Sequence, residues 1–250
     1  MDKKRLFAKW LLIVLLGFGV STQALASDEL KRLELAYPES IEKVSSNYIA
    51  WNDGTLMQVR KSFFLLNAIM KLFYHFDKSA GSISRDDVIH DAYEPFFRKM
   101  YGGSPQEVKK NLVTIYWMPK VFGKTYPLSV TTVNGVDKKL RRISAELEKL
   151  PASYHKYLSK PGSFYWRNVA REDYLSAHSF GIAIDINPAY GNYWLWDWQI
   201  TKRPISKMNC HNRIPMKIIE IFEKEGFFWG GRWLAYDTMH FEYRPELFLT

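Results

Sequence analysis

Apolar positions along this chain fall into three patterns. The first is an unbroken apolar run from Trp10 to Val20. The second is helical spacing. Within "NGVDKKLRRISAELEKLP", Val136, Leu140, Ile143 and Leu147 share one face, which predicts an amphipathic helix with Asn134 as its N-cap and an end before Pro151. "IPMKIIEIFEKEGF" predicts another, starting near Pro215 and stopping at Gly226. The third pattern is short β-branched and aromatic stretches between turn residues: "LVTIYWMPKVFG", "YPLSVTTV", "GSFYWRNVA", "FGIAIDIN" and "DTMHFEYRP". Strands and helices mix here without regular βαβ alternation, so the fold class is α+β with an antiparallel sheet.

Residues 28–110 read as mostly helical. "GTLMQVRKSFFLLNAIMKLFYHF" is long, apolar and free of proline, as a buried helix requires. "DKSAGSISRDD", 77–87, reads as a connection between helices. It lacks the sixth-position glycine and twelfth-position glutamate of a calcium loop. The expected organisation is a leader at 1–26, a helical region at 27–110 and a third region at 111–250.

The leader follows from what flanks the first apolar run. Lys3, Lys4 and Arg5 precede it, and "ALA" ending at Ala26 follows it. This is the layout of a secretory signal cleaved after Ala26, leaving Ser27 first. Eleven residues are too few for the roughly 20 that a spanning helix needs, so no stable membrane insertion is expected once the signal is removed. Removal takes four basic residues and one acid, and lowers the formal net charge from +9 to +6. That mild basicity comes without any nucleic-acid-binding signature. The chain contains one cysteine, Cys210, so no internal disulfide is available. Cys210 and His211 are neighbours, and neighbours in an extended segment point to opposite faces, which argues against joint ligation.

"SAHSFGIAIDINP", 176–188, breaks a core-like strand with a histidine and an aspartate. A turn at Gly181 followed by a strand would bring His178 and Asp185 to one point, and small residues at 181 and 183 would leave that wall open. Downstream, "DTMHFE" adds His240, with Asp237 three residues before it. Two histidines and one carboxylate form the ligand set of a catalytic zinc site with an open fourth position. Such a site also needs a carboxylate outside the ligand set to take a proton from water. Two residues flank His240 as candidates, Asp237 and Glu242. In a regular strand Glu242 shares a face with His240 and suits a hydrogen bond to the ligating imidazole. Asp237 reaches the site only if the chain turns within "DTM".

"SAHSFGIAID" fits S-x-H-x-x-G-x-A-x-D, and "WGGRWLAYDTMHFE" fits W-G-G-x-W-x(3)-D-x-x-H-F-E. Together the two motifs resemble the zinc D-alanyl-D-alanine carboxypeptidases and L-alanyl-D-glutamate endopeptidases of bacterial peptidoglycan. The resemblance spans 164–246 and extends more loosely to about residue 112. It implies a central antiparallel sheet flanked by helices. It also implies one zinc per chain on His178, Asp185 and His240, Asp237 as general base, and Arg167 steadying the substrate carbonyl, with Arg171 four residues on as the alternative. Ser176 matches a position lining the site, and Trp229 and Trp233 match positions that shape the pocket. The implied activity is hydrolysis of an amide bond in peptidoglycan or muropeptide stem peptides by a secreted, periplasmic enzyme. Which bond is cut stays open. The alternative is a zinc- or wall-binding module without turnover, and an intact Asp237 argues against it.

Overall fold

The computed structural model describes residues 31–45, 47–58, 86–233 and 235–249. The expected leader, residues 59–85 of the expected long helix and its following loop lie outside the described residues. Two compact units divide the chain, Met1–His75 and Phe76–Thr250. Among the described residues, no helix is long and apolar enough to cross a membrane.

In the first unit a helical segment at 31–36 precedes three short strands, β1 (Ile41–Val44), β2 (Tyr48–Trp51) and β3 (Leu56–Gln58). They form an antiparallel sheet in the order β1-β2-β3. A mostly helical region was expected here, and over 41–58 the chain departs from it. The reason is turn chemistry. The Asp53 carboxylate accepts from Thr55 N at 3.0 Å and Thr55 Oγ1 at 2.6 Å, and Gly54 takes φ +79°. This tight reversal pairs Ala50 with Leu56. Ile41, Ile49 and Trp51 are buried on the sheet.

The second unit begins with α1 (Asp86–Tyr101), followed by α2 (Pro105–Lys109) and the hairpin of β4 (Leu112–Tyr116) with β5 (Pro127–Thr131). Helix α3 (Val136–Leu147) follows. Its Val136, Leu140, Ile143 and Leu147 are all fully buried, as their spacing required. Full burial of such side chains stabilises the fold by about 1.5–3 kcal/mol each. Asn134 is not its cap. Gly135 occupies that position at φ +64°, and the Asn134 amide instead donates to Tyr101 Oη at 3.2 Å. "GSFYWRNVA" forms no strand. It runs irregularly past the site, touching β structure only through bridges such as Gly162 with Asp185.

Further along the chain come β6 (Ala183–Asp185), α4 (Trp194–Thr201), α5 (Met216–Lys224), β7 (Phe227–Trp229) and β8 (His240–Tyr243), with short helical turns between them. The last sheet is antiparallel in the order β6-β8-β7. Thus the sheet structure consists of small antiparallel sheets among helices, an α+β arrangement. One hydrogen bond, Thr131 N to Gly181 O at 3.0 Å, ties the β4-β5 hairpin to the lead-in of β6.

Strand β8 is buried on both faces, and its alternation sorts two kinds of chemistry. Phe241 and Tyr243 face the apolar core. Phe241 stacks on Phe222 of α5 with centroids 3.9 Å apart and planes 17° from parallel, and Tyr243 packs on Phe227. His240 and Glu242 therefore share the opposite face. Helix α1 braces the segment carrying His178. Phe97 and Tyr101 pack on Phe180 at 5.8 and 6.3 Å, and Glu94 Oε2 accepts from Leu175 N at 2.6 Å.

Candidate active site

His178 lies on a 3-10 turn, Ala177–Phe180, capped by Ser176, whose hydroxyl accepts from His178 N at 3.4 Å. Gly181 ends the turn at φ +69°. Its role differs from the open wall expected of it. A Cβ there would lie 2.6 Å from Leu112 Cδ2 and 3.1 Å from Thr131 N, so glycine permits both the left-handed turn and the close approach of β5. The turn feeds β6, where Asp185 pairs with His240 across the sheet.

His178 Nε2, Asp185 Oδ1 and His240 Nδ1 form a triangle with edges of 3.1, 2.9 and 3.2 Å. Tetrahedral zinc with nitrogen and oxygen ligands at about 2.0–2.1 Å separates its ligand atoms by about 3.3 Å. The triangle fits that face. Hydrogen-bond partners on the far side of each ring agree. His178 Nδ1 lies 2.6 Å from Ser163 O, and a carbonyl only accepts, so the His178 proton sits on Nδ1. His240 Nε2 lies 3.2 Å from Glu242 Oε2, which places the His240 proton on Nε2 in the neutral ring. Two imidazole lone pairs and a carboxylate oxygen therefore converge. Three such acceptors repel one another unless a cation stands between them. Burial opposes a charged His240, yet the hydrogen bonds its ring donates to Asp185 and Glu242 outweigh it and push His240 up to about 10. Burial likewise opposes the Asp185 anion, but the two histidines hold its carboxyl well below the usual range.

Behind His240 runs a buried ionic chain. Arg244 Nη1 donates to Glu242 Oε1 at 3.0 Å, and Arg244 Nε donates to Glu246 Oε1 at 2.5 Å. The guanidinium lies 5.1 Å from the Phe97 ring centre. Arg244 is fully buried, and Glu242 and Glu246 nearly so.

The triangle opens into a cleft of about 700 Å³, solvent included. Asp237 and Arg167 line it, as do Ser176, Trp233 and Glu242. Trp233 also packs against the His240 ring at 5.3 Å between centroids. Trp229 is not among the lining residues. Its buried indole donates to Thr238 O at 2.9 Å and so holds the turn that presents Asp237. That turn forms within "DTM": His240 N donates to Asp237 O at 3.2 Å, and Asp237 N to Gly230 O at 3.0 Å. Gly230 must lack a side chain, since a Cβ would lie 2.6 Å from Asp237 O. Burial, helped by the nearby Asp185 carboxylate, pushes the Asp237 carboxyl up to about 7 in the metal-free chain. Arg171 stands over the Trp198 ring at 4.1 Å and is not among the lining residues.

Cys210 offers no nucleophile, because burial and the carboxylates of Asp197 and Asp237 push its thiol up to about 11. Sequence reasoning missed the Ser163 carbonyl, the Arg244–Glu246 pair and the Tyr193 ring on the cleft wall. No residue-type signal marks a backbone carbonyl. "EYRPE" did carry alternating charges that read only as a strand end.

Residues 170–243 match the family model described as D-alanyl-D-alanine carboxypeptidase. The match supports the resemblance drawn from the two motifs over this segment, which contains His178, Asp185, Asp237, His240 and Glu242. Arg167 falls three positions outside it. Searches of curated proteins and of solved structures gave no match.

Proposed function

We propose that the chain is an exported, zinc-dependent peptidase that hydrolyses an amide bond in peptidoglycan stem peptides. One observation carries this reading. Three inward-facing ligand atoms share a cleft with a carboxylate that is not part of the triangle, within a segment matching D-alanyl-D-alanine carboxypeptidase. His178, Asp185 and His240 would hold the metal, one ion per chain, with Glu242 and the Ser163 carbonyl fixing the ring orientations. Zinc at such a site lowers the pKa of water to about 7 and polarises a carbonyl.

Asp237 takes a proton from the attacking water and delivers it to the departing amine nitrogen. Asp237 lines the cleft without belonging to the ligand triangle, as that exchange requires. Arg167 steadies negative charge on the substrate at the cleft wall. The engagement of Arg171 with Trp198 supports Arg167 over its neighbour. Ser176 and Trp233 contribute wall, and Trp229 supports the Asp237 turn from behind. The leader at 1–26 would take the enzyme to the compartment where its polymer lies.

The test is incubation of purified protein with defined muropeptides, with and without chelator, and mass spectrometry of the products. Cleavage of one stem-peptide amide, lost on chelation and restored by zinc, is the expected result. Zinc binding without cleavage of any stem peptide would overturn it in favour of a binding module.

A further inference from the structure

We propose that Tyr193 is a further catalytic residue of this site, its phenol donating a hydrogen bond to the scissile carbonyl oxygen as that oxygen gains negative charge. The inference rests on the peptidase reading and adds a substrate-facing group that the two motifs do not contain.

Placement is the first argument. Tyr193 lines the same cleft as His178, Asp185, Asp237 and His240, although it lies outside both motifs. Its backbone pairs with Asp237 in an isolated antiparallel bridge. Both neighbours are pinned to the same turn: Asn192 N donates to Thr238 Oγ1 at 2.7 Å, and Trp194 N donates to Tyr236 O at 2.9 Å. Tyr193 and the proton acceptor Asp237 are therefore held as one rigid piece.

Ring orientation is the second. Trp194 and Trp196 meet the Tyr193 ring edge-on, at 6.1 and 5.8 Å and interplanar angles of 73° and 89°. Such packing restricts the ring without using its polar end. Among the described residues, no protein group hydrogen-bonds the Tyr193 hydroxyl, and the ring is only half-buried. A ring held by its neighbours thus stands on the wall of the cleft with a hydroxyl left for something else to accept from.

The surrounding charge decides what that acceptor is. The hydroxyl feels the carboxylates of Asp237 and Asp185 and the guanidinium groups of Arg167 and Arg171. Burial and the Asp237 carboxylate keep the phenol proton in place above the ordinary tyrosine range, so the group stays a donor at neutral pH. Two nearby carboxylates make the spot unfavourable for a permanent substrate anion. An amide oxygen that is neutral on arrival and charged only in the transition state suits it better. No bond to Tyr193 forms or breaks, and its proton stays on the phenol throughout.

The experiment compares wild type and Tyr193→Phe as full chains loaded with zinc. Kinetics on a stem-peptide fragment are read beside binding of a phosphinate analogue of the scissile dipeptide, a tetrahedral anion. Removal of one such donor should lower kcat by about 10²–10³ and weaken phosphinate binding similarly. KM, zinc content and unfolding temperature should stay close to wild type, because no group among the described residues hydrogen-bonds the lost hydroxyl. An equally active Tyr193→Phe that binds phosphinate as wild type does would overturn the inference alone. So would a rise in KM at constant kcat, which would place the phenol on an unreacting part of the substrate. A wild-type chain inactive on every stem peptide would overturn the inference together with the peptidase reading.

Discussion

Asp185 and His240 stand directly opposite each other on β6 and β8, with Asp185 Oδ1 2.9 Å from His240 Nδ1 across 55 positions of sequence. Opposed residues of an antiparallel pair project from the same face. Sheet register therefore sets two of the three candidate ligands. A slip of one residue would turn one of them into the core. His178 completes the triangle from a turn that Gly181 closes immediately before β6.

Metal content follows from this arrangement. Wild-type protein should retain one zinc per chain after dialysis, measured by elemental analysis. His178→Ala and His240→Ala should each lose it while keeping most of the fold, since the remaining pair cannot close the tetrahedral face. Full occupancy in either variant would refute the ligand assignment.

Asp237→Asn separates chemistry from metal binding. The variant should keep zinc and lose about 10²–10⁴ in hydrolysis rate, the usual contribution of a general base. Glu242→Gln should bind zinc about 10–100-fold more weakly. Rate and zinc content of both variants, measured side by side, check the assignment. An active Asp237→Asn beside a dead, zinc-loaded Glu242→Gln would exchange the two roles.

The same carboxyl carries a stability signature in the metal-free chain. Its folded-state value, about 7, lies above the roughly 3.9 of an unfolded aspartate. Below about pH 4 the group is neutral in both states and costs the fold nothing. Between there and about pH 7 ionisation is easier in the unfolded chain, so stability falls as pH rises. Metal-free Asp237→Asn should therefore unfold at a higher temperature than wild type at pH 8 and at the same temperature at pH 4. Partial exposure keeps the gain on the order of 1–3 kcal/mol. Equal melting at pH 8 would show that the site does not burden the ionised carboxylate.

Arg244 lies outside the matched segment, yet its loss should be severe. Arg244→Leu leaves the buried carboxylates of Glu242 and Glu246 without their shared cation. Breaking a buried pair in this way costs about 3–5 kcal/mol. Denaturant unfolding should show that loss, and zinc affinity should fall with it because Glu242 no longer holds the His240 ring in place.

Gly181→Ala tests the turn between His178 and Asp185. The left-handed backbone strains any side chain there by about 1–2 kcal/mol, and the new Cβ meets Leu112. Pairing it with Leu112→Ala should recover the steric part of the loss and leave the backbone part. Complete rescue would assign the cost wholly to the Leu112 contact.

Much of this molecule was decided locally. The buried face of α3 is written in the spacing of Val136, Leu140, Ile143 and Leu147, because an amphipathic helix of 12 residues repeats its period often enough to be read. The donor types of the candidate metal site were legible too, because two separate motifs each place histidine and aspartate together in one short stretch. The strands at 41–58 were not, because three or four residues are too few to show a period of two, and only the Asp53–Gly54 turn betrays them. Nor was the work of Gly181, which depends on Leu112 and Thr131 far away in sequence.

The sequence by itself determined which side chains have the chemistry to hold a cation and to move a proton. Only the tertiary structure decided which lone pairs face one another. A histidine presents either of two nitrogens, and the choice here belongs to the Ser163 carbonyl for His178 and to the Arg244-held Glu242 for His240. Those partners are brought up by packing between distant segments, and packing distance is the quantity a one-dimensional pattern does not contain.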